Sequence, residues 1–237
     1  MKPHGPHRSL TLLLGASLGL FLFAGCATTT GTKAQNFPLL YAERPRTILV
    51  LPPVNASGDI YAPKYLLATI GPILADAGYY VLPVGPAWEL LRQESLFKIN
   101  GPADPRVPQL GVNFGTDAVL LIEIAHWELT KGVFDGGNLL VSVQAKLIST
   151  KSNQVLWEYT GGQGRIDVSA SYRAGIIFEI GSASSALLLA MHGDYIPYAA
   201  WVSANLLASL PVGSYHPRYG QDGGDSVQAP ILGRAFK

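Results

Sequence analysis

The chain has one cysteine, Cys26, and few charged residues. A single thiol cannot form an internal disulfide, so no disulfide framework stabilises the fold. Charged residues are 14% of the composition, with 17 basic and 16 acidic side chains. Without residues 1–25, which contain Lys2 and Arg8 and no acid, the balance is 15 basic to 16 acidic. That balance lacks the basic face that nucleic acids require, so we expect no nucleic-acid partner.

Sequence motifs for catalysis and metal binding are also missing. After residue 25 there is no Gly-x-Ser-x-Gly turn, which hydrolases use to present a nucleophilic serine. The histidines of this part, His126, His192 and His216, lie far apart and form no His-x-x-x-His or His-Glu-x-x-His pair. We therefore predict no enzyme activity, no metal site and no cofactor.

The amino terminus has the layout of a secretory signal. Lys2 and Arg8 precede an apolar run from Leu10 to Ala24, which is shorter than the roughly 20 residues of a membrane-spanning helix. The run leads into Leu22-Phe-Ala-Gly-Cys26, which resembles the bacterial lipobox. We predict that residues 1–25 are a lipoprotein signal peptide and that Cys26 carries the lipid. The alternative is an ordinary secretory signal with a chance cysteine.

Beyond Cys26 the composition divides the chain into three parts. The stretch from Ala27 to Gln35 is small and polar without periodicity, so we expect residues 26–44 to be a lipidated tether. Residues 45–212 contain the apolar, periodic segments of one globular domain. Residues 213–237 are rich in turn formers and predict a C-terminal tail. Inner-membrane lipoproteins usually have Asp after the acylated cysteine, and Ala27 instead resembles the outer-membrane case, so we expect an anchor in the outer membrane with the domain facing the periplasm.

Strand and helix patterns alternate within the domain. Five β-rich runs predict strands over residues 47–51, 79–82, 117–127, 139–147 and 155–159. Helical periodicity and start signals predict helices over residues 62–77, 87–93, 170–191 and 195–210 and a short turn up to residue 110. Pro72 is expected to kink or split the first helix. This order predicts an α/β (α+β) domain with a mixed β-sheet of about five strands packed with helices.

The run from Gly175 to Met191 is the most hydrophobic part of the chain after the signal. Glu179 and the short apolar length beyond it argue against a membrane span. Small residues from Gly181 to Ala186 allow close backbone approach. The run therefore predicts either a buried helix or a self-association surface, and a homo-oligomer is one expected state.

Five segments together resemble one bacterial family: Thr47–Asn55, Gly78–Val84, Gly115–Leu121, Val155–Trp157 and Leu210–Asp222. The last segment is the most specific, because its prolines, glycines and tyrosines exceed what a helix exit requires. The family is the lipoprotein family of the genome-derived neisserial antigen type, a domain of unknown function. The resemblance implies a fold like the amino-terminal domain of TolB, similar also to the curli secretion channel CsgG and the penicillin-binding-protein activator LpoB. Those proteins act as partners, pore formers or activators, which implies a non-enzymatic role in envelope assembly.

We expect the domain to bind other envelope lipoproteins or a secretion channel, as a component of an envelope or curli-type secretion complex. Candidate interaction residues lie in the loop after the first strand and in the C-terminal signature: Asn55, Asp59, Tyr215, His216, Tyr219 and Asp222. The alternative is a solute-binding or transport accessory lipoprotein with a pocket under the 55–59 loop. An enzyme acting on peptidoglycan or lipid is a third hypothesis, which requires carboxylates or a Ser–His pair to converge in a cleft.

Overall fold

A computed structural model describes residues 31–93, 99–131, 137–159, 164–167 and 196–227. These residues belong to one unit, which begins at Gly31. The predicted signal peptide, Cys26 and the predicted helix over residues 170–191 lie outside the described residues.

The described residues form a seven-stranded mixed sheet. The strands are β1 Thr47–Val50, β2 Val54–Asn55, β3 Tyr80–Val81, β4 Ala118–Lys131, β5 Gly137–Ser149, β6 Val155–Tyr159 and β7 Gly164–Asp167. Their continuous path is β3-β1-β4-β5-β6, while β2 pairs with β4 and β7 pairs with β5. Pairing is parallel where β1 and β2 take part and antiparallel elsewhere. The five predicted strands are those of the continuous path, so the α/β prediction with a mixed sheet is confirmed.

Helices cover both faces of the sheet. They are α1 Lys33–Asn36, α2 Pro38–Glu43, α3 Ala62–Asp76, α4 Val84–Gln93, α5 Val107–Phe114 and α6 Ile196–Leu207. The larger core packs α3 and α6 against one face, and the smaller core packs α4 and α5 against the other. The helical periodicity that predicts a helix over residues 62–77 is confirmed, because its apolar residues Leu66, Ile70 and Leu74 share one face and are fully buried.

Helix α3 continues through Pro72 without splitting in two. Proline leaves the carbonyl group four residues earlier, that of Ala68, without its helical donor. Both Ala68 and Pro72 are exposed. The helix therefore tolerates the proline because water can hydrate the freed carbonyl group.

Order begins earlier than the composition predicts, since α1 and α2 occupy much of the expected 26–44 tether. Thr32 caps α1 through a capping box with Gln35, in which each side chain bonds the other residue's backbone N–H. Lys33 and Leu40 are both buried against the domain. This segment is ordered by tertiary contacts, because the partners of Lys33 are Leu210 and Asp222, far along the chain. Within the described residues, the helices are too short or too polar to span a bilayer.

Two buried tyrosines are expected to respond differently to the loss of their hydroxyl group. Tyr79 Oη donates a 2.7 Å hydrogen bond to the carbonyl oxygen of Pro211, whereas the buried Tyr159 Oη has no partner among the described residues. We expect Tyr79→Phe to lower the free energy of unfolding by about 1–2 kcal/mol, because it leaves a buried carbonyl unpaired. Tyr159→Phe should leave it unchanged or raise it slightly. Chemical denaturation of both variants measures the difference, and equal losses would contradict it.

Tyr159 also makes the stability of the fold depend on pH in the alkaline range. Burial raises the pKa of Tyr159 from its ordinary value of 10.0 to about 12. The neutral phenol is thus favoured in the folded state, so its stabilising contribution is complete below pH 10 and is lost as the pH rises through 12. The unfolding free energy of the wild type should fall in this range, and that of Tyr159→Phe should fall less steeply.

Candidate functional site

The predicted interaction residues lie at opposite ends of the domain. Asn55 and Asp59 follow the carboxyl end of β1, where α3 begins. Tyr215, His216 and Asp222 lie near the other end of α3, where the Gly213 N–H donates a 2.8 Å hydrogen bond to the Ala77 carbonyl. Fifteen helical residues separate the two ends, a length of about 22 Å. The structure therefore separates the six predicted residues into two groups.

Asp222 is the centre of a buried polar cluster. Its side chain is fully buried and accepts hydrogen bonds from Lys33 Nζ at 3.4 Å, Tyr41 Oη at 3.1 Å and the Val212 N–H at 2.9 Å. Lys33 also donates to the Leu210 carbonyl at 3.1 Å. Burial, with help from the Asp222 carboxylate, raises the pKa of Tyr41 well above its usual range. Asp222 therefore has a structural role.

Backbone hydrogen bonds extend this cluster along both segments. The Lys33 N–H donates to the Asp225 carbonyl at 2.8 Å, the Ala34 N–H to Gly223 at 3.1 Å, and the Val227 N–H to Gly31 at 3.1 Å. We call the contact between residues 31–41 and 210–227 the clasp. It fixes the start of the described chain to the end of the domain where α3 terminates.

Gly78 and Gly213 allow the clasp to reach α3. Gly78 has φ +88° and follows the helix, where a left-handed residue favours glycine. A Cβ atom on Gly213 would overlap the Gly78 carbonyl group, and one on Gly78 would overlap the backbone of His216. The two glycines thus permit a backbone contact that no side chain would fit.

Tyr215, His216 and Tyr219 have backbones held by the clasp but more accessible side chains. The Tyr215 N–H donates to the Gly78 carbonyl at 3.0 Å, yet 68% of the residue is exposed. His216 Nδ1 accepts a 3.1 Å hydrogen bond from the Arg218 N–H. Tyr219 is 37% exposed. The interaction role of these three residues stays a prediction.

At the opposite end, Asn55 and Asp59 shape a loop. Asn55 Oδ1 accepts hydrogen bonds from the N–H and Oγ of Ser57, and its amide donates to the Asp59 carbonyl at 2.9 Å. Asp59 Oδ1 accepts from the Tyr61 N–H at 2.7 Å. Both polar side chains form hydrogen bonds within the loop, and Ile60 and Tyr61 are the large apolar side chains that it exposes to solvent.

Large exposed apolar residues lie before this loop, at its end and at the first described residue of α6. Thr69 of α3 and Ser203 of α6 share a buried hydrogen bond of 2.8 Å, and each lies seven residues after the first residue of its helix. Both helices end near the clasp, so they are parallel and in register, which places Ile196 beside the start of α3. Four residues at this end of the domain, each 43–75% exposed, are together called the distal patch: Val54, Ile60, Tyr61 and Ile196. Lys64 Nζ lies 5.4 Å from the centre of the Tyr61 ring.

A half-open cavity of about 420 Å³ adjoins the distal patch through Val54. Strand β1 pairs with β4 as far as Leu120, and β2 resumes the pairing at Glu123. Pro52 and Pro53 interrupt the ladder, because proline has no N–H to donate. The cavity lies at this interruption.

The cavity has apolar walls and a polar floor. Leu51, Pro52 and Val54 form one wall, and the segment from Ile99 to Pro102 forms the other. The floor consists of two cross-strand pairs of β4 and β5, Leu121 with Lys146 and Glu123 with Gln144. Lys146 also pairs with Glu158 of β6 at 3.7 Å. Apolar walls with a few convergent polar groups are typical of ligand sites.

Asp104 holds the second wall in place. Its carboxylate accepts from the Asn100 N–H at 2.8 Å and from Arg106 Nη2 at 2.6 Å, and the Arg106 guanidinium holds the pKa of Asp104 well below its usual range. Ile99 packs into the smaller core. This side of the cavity is therefore preformed.

Sequence patterns missed the clasp, and they placed a pocket under the 55–59 loop, whereas the cavity is lined by Leu51, Pro52 and Val54 just before it. Lys33 is the first charged residue after Cys26, which is a weak sign that it has a partner. Glu123 and Gln144 are polar residues with apolar neighbours on either side along β4 and β5, which is a sign that the face they share is not covered by core. Among the described residues, no three His, Cys, Asp or Glu side chains group as metal ligands do.

Known proteins resemble this chain in sequence and structure. The Neisseria meningitidis serogroup B lipoprotein NMB1124/NMB1162 is 30% identical over 142 residues, which are 59% of this chain and 66% of that protein. The chain thus covers just under two thirds of the length of this relative. The crystal structure of lipoprotein GNA1162 from N. meningitidis has 27% identity and a TM-score of 0.45, covering 65% of this chain and 99% of that one. The PelC dodecamer from Paraburkholderia phytofirmans has 18% identity and a TM-score of 0.40, covering 71% and 90%.

The family match extends over most of the domain. The model of the family described as "Putative lipoprotein GNA1162-like" matches residues 36–209, well over half of the chain. This range contains the smaller core, the larger core except Leu210, and the distal patch. It confirms the resemblance that the strand and signature segments predict: the chain belongs to the GNA1162-like lipoprotein family.

Proposed function

We propose that this lipoprotein is a non-enzymatic assembly component of the bacterial envelope, anchored to the outer membrane through a lipid on Cys26 and facing the periplasm. Its domain binds other envelope proteins, such as lipoproteins or a secretion channel of the curli type, or further copies of itself. The observation that carries the proposal is the distal patch, since four exposed apolar residues at one end of a domain favour a protein contact.

The clasp supports this assignment by its position. Five residues lie between Cys26 and Thr32, and the six steps of a fully extended chain between them span at most about 22 Å. The anchored segment joins the domain at the clasp, and the distal patch lies at the other end of α3. In the proposed arrangement the apolar patch points away from the anchoring membrane, toward a partner.

Photo-crosslinking in intact cells tests the proposal. A photoreactive amino acid at position 60 should give discrete crosslinked proteins. The same amino acid at position 112 should not, because Val112 is 85% exposed and apolar but belongs to α5, outside the patch. Combined Ile60→Asp and Tyr61→Asp substitutions should reduce co-purified partner by about tenfold or more. Identical patterns from both positions, or none, would contradict the assembly role.

A second candidate function, a solute-binding or transport accessory lipoprotein, is favoured by the cavity next to Val54. Its size is within the usual range of small-molecule sites, roughly 300–1,000 Å³. Thermal-shift measurements with envelope metabolites test this candidate. Stabilisation by a metabolite without position-60 crosslinks would favour solute binding over assembly.

A further inference from the structure

We propose that the cavity between β1, the 99–102 segment and the β4–β5 floor binds a peptide group that carries an aliphatic side chain. Its walls and floor differ in chemistry in a way that selects this class. Leu51, Val54 and Ile99 offer an apolar enclosure, whereas Glu123 and Gln144 offer hydrogen-bonding groups along one side. An aliphatic side chain fits the apolar enclosure, and a peptide group fits the hydrogen-bonding side.

Charge favours a ligand without net charge. The polar floor has one carboxylate, on Glu123, and one ammonium, on Lys146. Lys146 is also paired with Glu158, so the lining has no surplus positive charge for an anionic ligand. A peptide N–H can donate to Glu123, and the Gln144 amide can both donate to and accept from a peptide group. A phosphate or another strongly charged ligand finds no matching set of partners in this lining.

The cavity is also prepared for binding on one side. Asp104 fixes Asn100 through a backbone hydrogen bond, and Gly101 has φ +109°, which only glycine adopts readily. A wall held in place before binding reduces the entropy that a ligand must overcome. The opposite wall contains Pro52, whose ring fixes its own backbone φ.

The inference does not depend on the proposed assembly role, because a peptide group with an aliphatic side chain can come from two sources. A free amino acid or small peptide would make the protein a solute binder, whereas a segment of another protein would make the cavity part of an assembly contact. Both sources present an aliphatic side chain beside a peptide group or its equivalent. The distal patch and the cavity can therefore be tested separately.

Calorimetric titration of the purified protein in lipid nanodiscs provides the test. The probes are N-acetyl-leucine amide, N-acetyl-glycine amide, free leucine and the blocked pentapeptide Ala-Ala-Leu-Ala-Ala. We expect the leucine amide to bind about tenfold or more tightly than the glycine amide, because only leucine fills the apolar enclosure. Tighter binding of the pentapeptide than of the leucine amide indicates a protein segment, and tightest binding of free leucine indicates a solute.

Matched variants identify the site. Gln144→Ala and Glu123→Ala should each weaken binding of the leucine amide by about three- to tenfold. Glu128→Ala should not, because Glu128 is an exposed carboxylate on the same strand outside the cavity. The unfolding curve of each of the three variants, compared with that of the wild type, serves as the folding check. No saturable binding, equal binding of the leucine and glycine amides, or equal loss in Glu128→Ala would overturn the proposal.

Discussion

Replacing Asp222 with alanine should lower the free energy of unfolding by about 3–5 kcal/mol, because it leaves the Lys33 ammonium buried without its carboxylate. The same change removes the acceptor for Tyr41 Oη and the Val212 N–H. Asp222→Asn, which keeps the shape and loses the charge, should give an intermediate loss. Urea denaturation followed by tryptophan fluorescence measures both variants.

Asp225→Ala is the matched control for this experiment. Asp225 pairs with Arg218 at 3.0 Å, but both side chains are substantially exposed. Exposed ion pairs contribute only about 0–1 kcal/mol. A loss for Asp222→Ala no larger than that for Asp225→Ala would show that the clasp does not contribute to stability.

Gly213→Ala is the second substitution with a large expected effect. A new Cβ atom there overlaps the backbone of Gly78 and the ring of Tyr79, and neither neighbour is the flexible end of a long side chain. Relief requires the 210–213 segment to move away from α3, which weakens the clasp. We expect a loss of about 2–3 kcal/mol, the range of overpacked sites, in the same urea measurement.

Gly224→Ala controls for a general effect of adding a methyl group to a glycine of the C-terminal segment. Nothing lies within 4 Å of the position that its Cβ would occupy. Its unfolding free energy should stay within about 0.5 kcal/mol of the wild type. Similar losses at both glycines would contradict the close-approach explanation for Gly213.

Local periodicity predicted much of the domain because its strands and helices are locally consistent. The stripe of Leu66, Ile70 and Leu74 on α3 is readable from spacing alone, and so is the alternation along β5. The mixed sheet then follows from the order of the elements. These features need no knowledge of contacts between distant residues.

The clasp could not be predicted in this way. Lys33 and Asp222 are 189 residues apart, and Lys33 lies in a segment whose composition is typical of a flexible tether. Periodicity does not record which distant carboxylate will neutralise a buried ammonium group. The turn-rich signature up to Asp222 was recognised as specific, but its contact with Gly78 depends on the tertiary fold.

The candidate site was only partly predictable for a similar reason. Pro52 and Pro53 indicate the end of β1 in the sequence. The loop with Asn55 and Asp59 predicts a pocket nearby. The residues of the cavity floor depend on the register of β4 against β5, which places Glu123 beside Gln144. Composition cannot supply that register.

The clasp also determines how the domain bears mechanical load. Tension applied to the chain ahead of Gly31 is transmitted first to the hydrogen bonds between residues 31–34 and 223–227, and to the Lys33–Asp222 pair beneath them. The strands that line the cavity and the helices that present the distal patch lie behind these bonds in the direction of pulling. A pull on this end of the described chain therefore loads the clasp before it reaches the cavity or the distal patch.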